Sequence, residues 1–149
     1  MHKTVVVGGD HFALDACEKI RATLSRHDVK FRDFSSTSTE DIRPLATLIP
    51  QVVEVVRSTE NSCGILICGT GAGVEIGANK FRSIRASLCV SAEQARNARQ
   101  YDNINILCIG SWMTKEQKDI DEIVTAFLDT EFDGNPERTR MLEDFDSFH

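Results

Sequence analysis

The sequence predicts an α/β fold with five parallel strands covered on both faces by helices. Three observations predict it. Short apolar runs of strand length alternate with longer segments whose apolar residues recur at helical spacing. Connections of that length form right-handed βαβ units, which require a parallel sheet. Glycines or polar turn residues follow the first, third and fifth apolar runs, where ligands of such sheets bind, beyond the carboxyl ends of the strands.

Thr4–Gly8 (TVVVG) is a β-branched run and reads as a buried strand. Ala13, Cys17, Ile20 and Leu24 then form one helical stripe. Val29–Phe34 is a second, more polar strand, and the Ser/Thr-rich, acidic stretch Ser35–Asp41 is a loop. Leu45, Leu48, Val52 and Val56 mark a second helix, with Pro50 expected to kink or restart it. Cys63–Cys68 (CGILIC) is the most apolar strand and the expected centre of the sheet. The loop Gly69–Gly73 follows, then a helix to about Lys80. Arg85–Val90 is a fourth strand, and Ala92–Tyr101 a helix with Ala92, Ala95 and Ala98 inward. Asn105–Ile109 is a fifth strand, and Ile120, Ile123, Val124, Phe127 and Leu128 mark a long helix after it. The tail, about 132–149, carries Arg138, Arg140, Met141, Phe145 and Phe148 and is expected to be helical and to pack on a partner subunit. With no repeat, low-complexity tract or linker, residues 1–149 read as one domain.

Length and composition agree. A chain of 149 residues matches one domain and can bury roughly two-thirds of its unfolded surface. Its 41% hydrophobic and 27% charged residues are those of an ordinary soluble protein. A net charge of −6 argues against broad binding to nucleic acid or an anionic membrane. No apolar run approaches the ~20 residues of a membrane helix, and a strand entered at Thr4 leaves no room for a signal peptide. Cys17, Cys63, Cys68, Cys89 and Cys108 are odd in number, scattered and free of any CxxC pair, which is reduced, cytoplasmic usage.

The sharpest chemical signal is Cys68-Gly69-Thr70-Gly71-Ala72-Gly73. Glycines at alternate positions let successive N–H groups face one concavity at a helix N-terminus, which suits anions and developing oxyanions. The loop lacks the Gly-Lys-Ser/Thr of a Walker A motif and the spacing of a dinucleotide fingerprint. A thiol at such a position can act as base or nucleophile; the alternative is that Cys68 ends its strand as a buried apolar residue. Asp10-His11, after the first strand, could bind a polyol and carry a proton, or Asp10 could cap the following helix, the reading the local sequence favours. Glu75 reads as a carboxylate favoured by the first turn of its helix, with a second acid/base role as the alternative. Arg138 and Arg140 could clamp a phosphate or simply face solvent. Nothing is assigned to His2, His27 or His149, no spacing matches a metal site, and no GxSxG elbow occurs.

Together these residues resemble the ribose-5-phosphate isomerase B family, which includes the galactose-6-phosphate isomerase subunits. The resemblance runs from about Thr4 to Met141. It is strongest over Gly64–Gly73, continuing through Ala78-Asn79-Lys80 to Ile84-Arg85-Ala86, with support from Gly9-Asp10-His11, Arg99, Asn105 and Phe132-Asp133-Gly134. It implies a Rossmann-like three-layer α/β/α sandwich that forms a homodimer or a dimer of dimers, with active sites built from both subunits. It also implies aldose–ketose isomerisation of a sugar phosphate through an enediolate, without metal or organic cofactor. In that scheme Cys68 is the base and Thr70 assists at the ring or carbonyl oxygen. Asp10 and His11 contact hydroxyls or phosphate, and the amides of Gly69, Gly71, Ala72 and Gly73 hold the oxyanion.

The departures from the family pattern are as informative. Tyr101-Asp102 stands where the family has His-Asn, whose histidine is associated with ring opening; a phenol near pKa 10 is a poor substitute. Trp112 and Asn135-Pro136-Glu137 replace phosphate arginines, Arg140 matches one, and Arg138 compensates in part. The tyrosine usual after the second strand is missing. These changes point to a different or shorter sugar phosphate, such as an open-chain tetrose phosphate. Two alternatives stay open: a non-catalytic sugar-phosphate-binding paralogue or one subunit of a hetero-oligomer, and a nucleotide-binding module using the glycine loop.

Overall fold

The computed structural model describes residues 4–148; His2 and His149 lie outside them. The elements run β1 (Thr4–Gly9), α1 (Leu14–Ser25), β2 (Lys30–Asp33), α2 (Leu45–Ser58), β3 (Ser62–Cys68), α3 (Ala72–Ala78), β4 (Ala86–Leu88), α4 (Ala92–Asp102), β5 (Ile106–Gly110), α5 (Gln117–Asp129) and α6 (Pro136–Asp146). The five strands form one parallel sheet in the order β2-β1-β3-β5-β4. β3 is central and buried along its whole length, as CGILIC predicts. Apolar residues of α1, α4 and α5 cover one face, and those of α2 and α3 the other. The strand order switches direction between β1 and β3, and ligands of such sheets bind beyond the carboxyl ends of the strands at that point.

Pro50 departs from expectation: α2 runs through it without a restart. The hydrogen bond that proline forfeits is to the carbonyl of Ala46, and both residues are exposed, so that carbonyl stays open to solvent. The second strand, expected over Val29–Phe34, is observed over Lys30–Asp33, four exposed residues at a sheet edge.

The opposite edge strand, β4, has three residues and is held largely by side chains. Asn79 donates to and accepts from the Ala86 backbone, at 2.9 Å each, as a neighbouring strand would. Asn105 accepts from the Arg85 N–H at 2.8 Å. Glu75 reaches across to accept the Leu88 N–H at 2.8 Å. Much of the motif that follows the glycine loop is therefore scaffolding, and Glu75 serves as a latch for β4.

The tail is tied to its own chain at both ends. The Asp133 N–H donates to the Gln100 carbonyl, and Asp146 accepts the Ser83 N–H at 2.8 Å. Even so, α6 buries none of its residues, and Phe148 is 76% exposed.

Candidate active site

The registers of the central strands decide what can meet. Gly9 pairs with Ile67, and the ladder continues past the strand end through the Asp10 N–H to the Ile67 carbonyl. Asp10 therefore lies opposite Cys68. Side chains alternate faces along a strand. Leu66 and Cys68 belong to the cluster under α2 and α3, and a Cβ on Gly8 would meet Val52 of α2. Asp10, just beyond the end of β1, thus lies one strand spacing from Cys68, and its charge also reaches Cys17 on the other side of the sheet.

Cys68 retains 4% of its surface at the bottom of the glycine loop, where its Sγ accepts the Gly71 N–H at 3.2 Å. That amide is placed to hold negative charge on the sulfur. Cys68 is itself a buried member of the core under α2 and α3; among the other four thiols, burial pushes Cys17 and Cys89 up to about 11, Cys63 to about 12 and Cys108 higher still. Gly71 has a φ of +79°, and a Cβ there would come within 2.5 Å of Leu88 and 2.9 Å of the Gly110 nitrogen. Only glycine permits this turn at this packing. Ala72 donates its N–H to Thr70 Oγ1, so Thr70 braces the loop while its side chain stays at the surface.

Asp10 does not cap α1, contrary to the reading its local sequence favours. The residue preceding that helix is Ala13, without a side-chain cap. The Asp10 Oδ1 instead accepts the Phe12 N–H at 3.0 Å inside the turn before α1. Burial holds the carboxyl above its usual range, opposed by that hydrogen bond and by His11. His11 Nδ1 is buried and has no hydrogen-bond partner among the described residues. A buried polar atom in that state is costly and marks a place where a ligand atom belongs.

Two aromatic residues border this cluster: Trp112, which the sequence marks as following the fifth strand, and Phe12, which it does not single out. The Trp112 indole lies on the backbone of Gly69, where a Cβ would fall 2.5 Å from the ring, and the Trp112 backbone N–H donates to the Gly69 carbonyl at 3.0 Å. Phe12 meets it edge-on at 6.0 Å and stacks at a tilt on His11 at 4.2 Å. The aromatic arc spans β1 to β5 above the glycine loop. Its only signal in sequence is position, since both residues follow strand ends.

The remaining candidates are elsewhere. Tyr101 and Asp102 end α4, beside the start of β5, while Cys68 is level with its end at Gly110. The height of β5, about 13 Å, separates the two levels. Arg138 stacks over the Tyr101 ring at 4.8 Å and binds Asp133 at 2.6 Å. Arg140 is exposed on the same helix. The chain therefore brings Asp10, His11, Cys68, Gly69, Thr70, Gly71, Ala72 and Gly73 to one end of the sheet and keeps Tyr101, Asp102, Arg138 and Arg140 apart from them. Among the described residues, no group of three or more His, Cys, Asp or Glu side chains could hold a metal, and no helix is long and apolar enough to cross a membrane.

Known proteins share this fold. Residues 5–143 match the family described as Ribose/Galactose Isomerase. A crystal structure of a ribose 5-phosphate isomerase from Thermotoga maritima superposes with a TM-score of 0.89 at 33% identity, covering 99% of both chains. The ribose-5-phosphate isomerase B of Mycoplasma genitalium, solved with bound ribulose-5-phosphate, gives 0.88 at 29% identity over 97% of this chain and 95% of the other. A 4-deoxy-4-sulfo-D-erythrose isomerase from a Clostridium species is 32% identical over 92% of this chain and 86% of its own.

Proposed function

The chain belongs to the ribose/galactose isomerase family, and from that premise we propose that it interconverts the aldose and ketose forms of a short, anionic, open-chain sugar. One observation carries the reading: Asp10 and Cys68 lie at paired positions at the ends of neighbouring strands, with an amide of the glycine loop already on the sulfur. The Cys68 thiolate takes the C2 hydrogen of the aldose as a proton. The C–H electron pair forms the C1–C2 double bond, and the carbonyl pair moves to O1, giving an enediolate. Amides of Gly69–Gly73 and the Thr70 hydroxyl stabilise that oxygen. Asp10 and His11 bind the hydroxyls and pass a proton between O2 and O1, and the thiol returns its proton to C1 to complete the ketose.

The short substrate follows from what stands beside this chemistry. A tetrose carrying its anionic group on C4 has no hydroxyl placed to close a five-membered ring, so it needs no ring-opening acid. Tyr101, at the position of the family's ring-opening histidine, is then no handicap, and a relative is named for a four-carbon sugar of that kind. Trp112 and Phe12 narrow the mouth in the same sense. We further propose that Tyr101, Asp102, Arg138 and Arg140 of a second subunit close the site over the substrate, because one protomer holds them a sheet height away. A panel of aldose phosphates and sulfonates from four to six carbons, with wild type and Cys68→Ser, tests the proposal. Turnover greatest on four-carbon substrates and lost in Cys68→Ser is expected; no turnover on any member would refute it.

A further inference from the structure

Beyond Asp10 and Cys68, the same row of the sheet holds a third polar side chain. The pairing of β1 with β2 also continues past the strand ends: Phe34 donates its N–H to the Val7 carbonyl, and Ser36 donates to that of Gly9, each at 2.9 Å. Val7 pairs with Asp33, so Ser36 falls opposite Asp10. Phe34 packs on the cluster under α2 and α3, and Ser36, two residues on, faces the same way. Ser35 takes the other face, where its Oγ accepts the Gly9 N–H and meets Cys17. Ser36, Asp10 and Cys68 therefore form one line across three neighbouring segments.

Ser36 is 3% exposed, and its Oγ has no hydrogen-bond partner among the described residues. A buried hydroxyl without a partner is a cost to the fold. Within the described residues, only one other side-chain atom shares that state, His11 Nδ1, at the same strand end.

We propose that Ser36 is a further substrate-binding residue, whose hydroxyl pairs with a hydroxyl of the open-chain sugar on the side of Asp10 away from Cys68. Adjacent strands are about 4.8 Å apart, so Ser36 is about 10 Å from Cys68. A sugar with its carbonyl end at Cys68 meets Asp10 first and Ser36 next. The inference rests on reading the site as one that takes an open-chain sugar.

Erythritol 4-phosphate and ribitol 5-phosphate, which lack a carbonyl and cannot react, test it by calorimetry. Ser36→Ala is expected to weaken at least one of them by about three- to tenfold, the worth of one hydrogen bond. In turnover its KM should rise by a similar factor while kcat stays within about twofold. Its melting temperature should hold or rise, because the deleted hydroxyl has no partner in the folded chain. Equal affinity for both polyols in wild type and variant overturns the proposal, and so does a loss of affinity matched by a fall in melting temperature, which marks a structural role. If wild type isomerises an aldose phosphate while Ser36→Ala binds both polyols normally, the Ser36 assignment alone fails. If wild type neither binds nor isomerises, the functional reading fails and takes this one with it.

Discussion

The carboxyl edge of the sheet and the far end of α4 carry the two groups of candidate residues, and they are built differently. At the sheet edge, Asp10 and Cys68 are buried, their spacing is set by strand registers, and polar atoms of His11 and Ser36 are left without partners. At the end of α4, Tyr101 is 39% exposed, and Arg138 is already matched by Asp133 and the tyrosine ring. The first region holds unspent polar capacity in a rigid frame, as proton transfer needs. The second is peripheral, with Tyr101 and Arg140 exposed. Several of the departures from the family pattern, Tyr101-Asp102 among them, fall in this second region.

The largest expected effect tests the first region. Cys68→Ser should lower kcat by a factor on the order of 10² to 10⁴, the usual worth of a positioned general base. Cys68 is a small side chain at a strand end, so far-ultraviolet circular dichroism and melting temperature should change little. Activity within threefold of wild type would remove the sulfur from the chemistry and leave a binding protein.

The next effect joins the regions. If each site draws on two chains, Cys68→Ser protein mixed with Tyr101→Ala/Arg140→Ala protein should recover activity that neither has alone. With random exchange between symmetric dimers, about a quarter of the sites are intact. Refolding the two together and assaying turnover measures this. No recovery, with exchange verified by mass, would mean that the second region does not complete the first.

Gly71→Ala should then destabilise by about 1–3 kcal/mol for the left-handed conformation alone, and by more for the contacts with Leu88 and Gly110, measured by urea unfolding. Arg138→Ala, by contrast, removes a partly exposed ion pair and should cost about 0.2–1 kcal/mol. The gap between those two values is the contrast between the regions in energetic form.

The sequence discloses these regions unequally. CGILIC announces the central strand because a continuous apolar run before a glycine loop has few other uses, and the glycines after it announce the tight approach at Gly71. Asp10 is visible but ambiguous, since an Asp before a helix is more often a cap; the register with β3 resolves it, and registers are long-range. Ser36 is invisible in a loop full of Ser and Thr, because its meaning comes from the ladder that carries it past Asp10. Glu75 and Asn79 share a motif with Cys68 yet hold β4, so proximity in sequence overstates their chemistry. The separation of Tyr101 from Cys68 needs only the direction in which α4 runs, yet no residue type signals it.

The smallest expected effect is a gain. Burial raises the Asp10 carboxyl above its unfolded value, so ionising it costs more in the folded chain than in the unfolded one. Wild-type stability from this group is therefore complete below the ordinary carboxylate value near 3.9, falls as pH rises from there through the raised folded value, and is level above it. Asp10→Asn keeps an oxygen for the Phe12 N–H and has no proton to lose. Its stability relative to wild type should be least at low pH, increase across that window and stay higher at neutrality, while turnover falls. Urea unfolding of both proteins between pH 3.5 and about 7.5 reads the difference directly. A difference independent of pH would show that Asp10 is held as a carboxylate without strain, and the contrast between the sheet edge and the end of α4 would narrow.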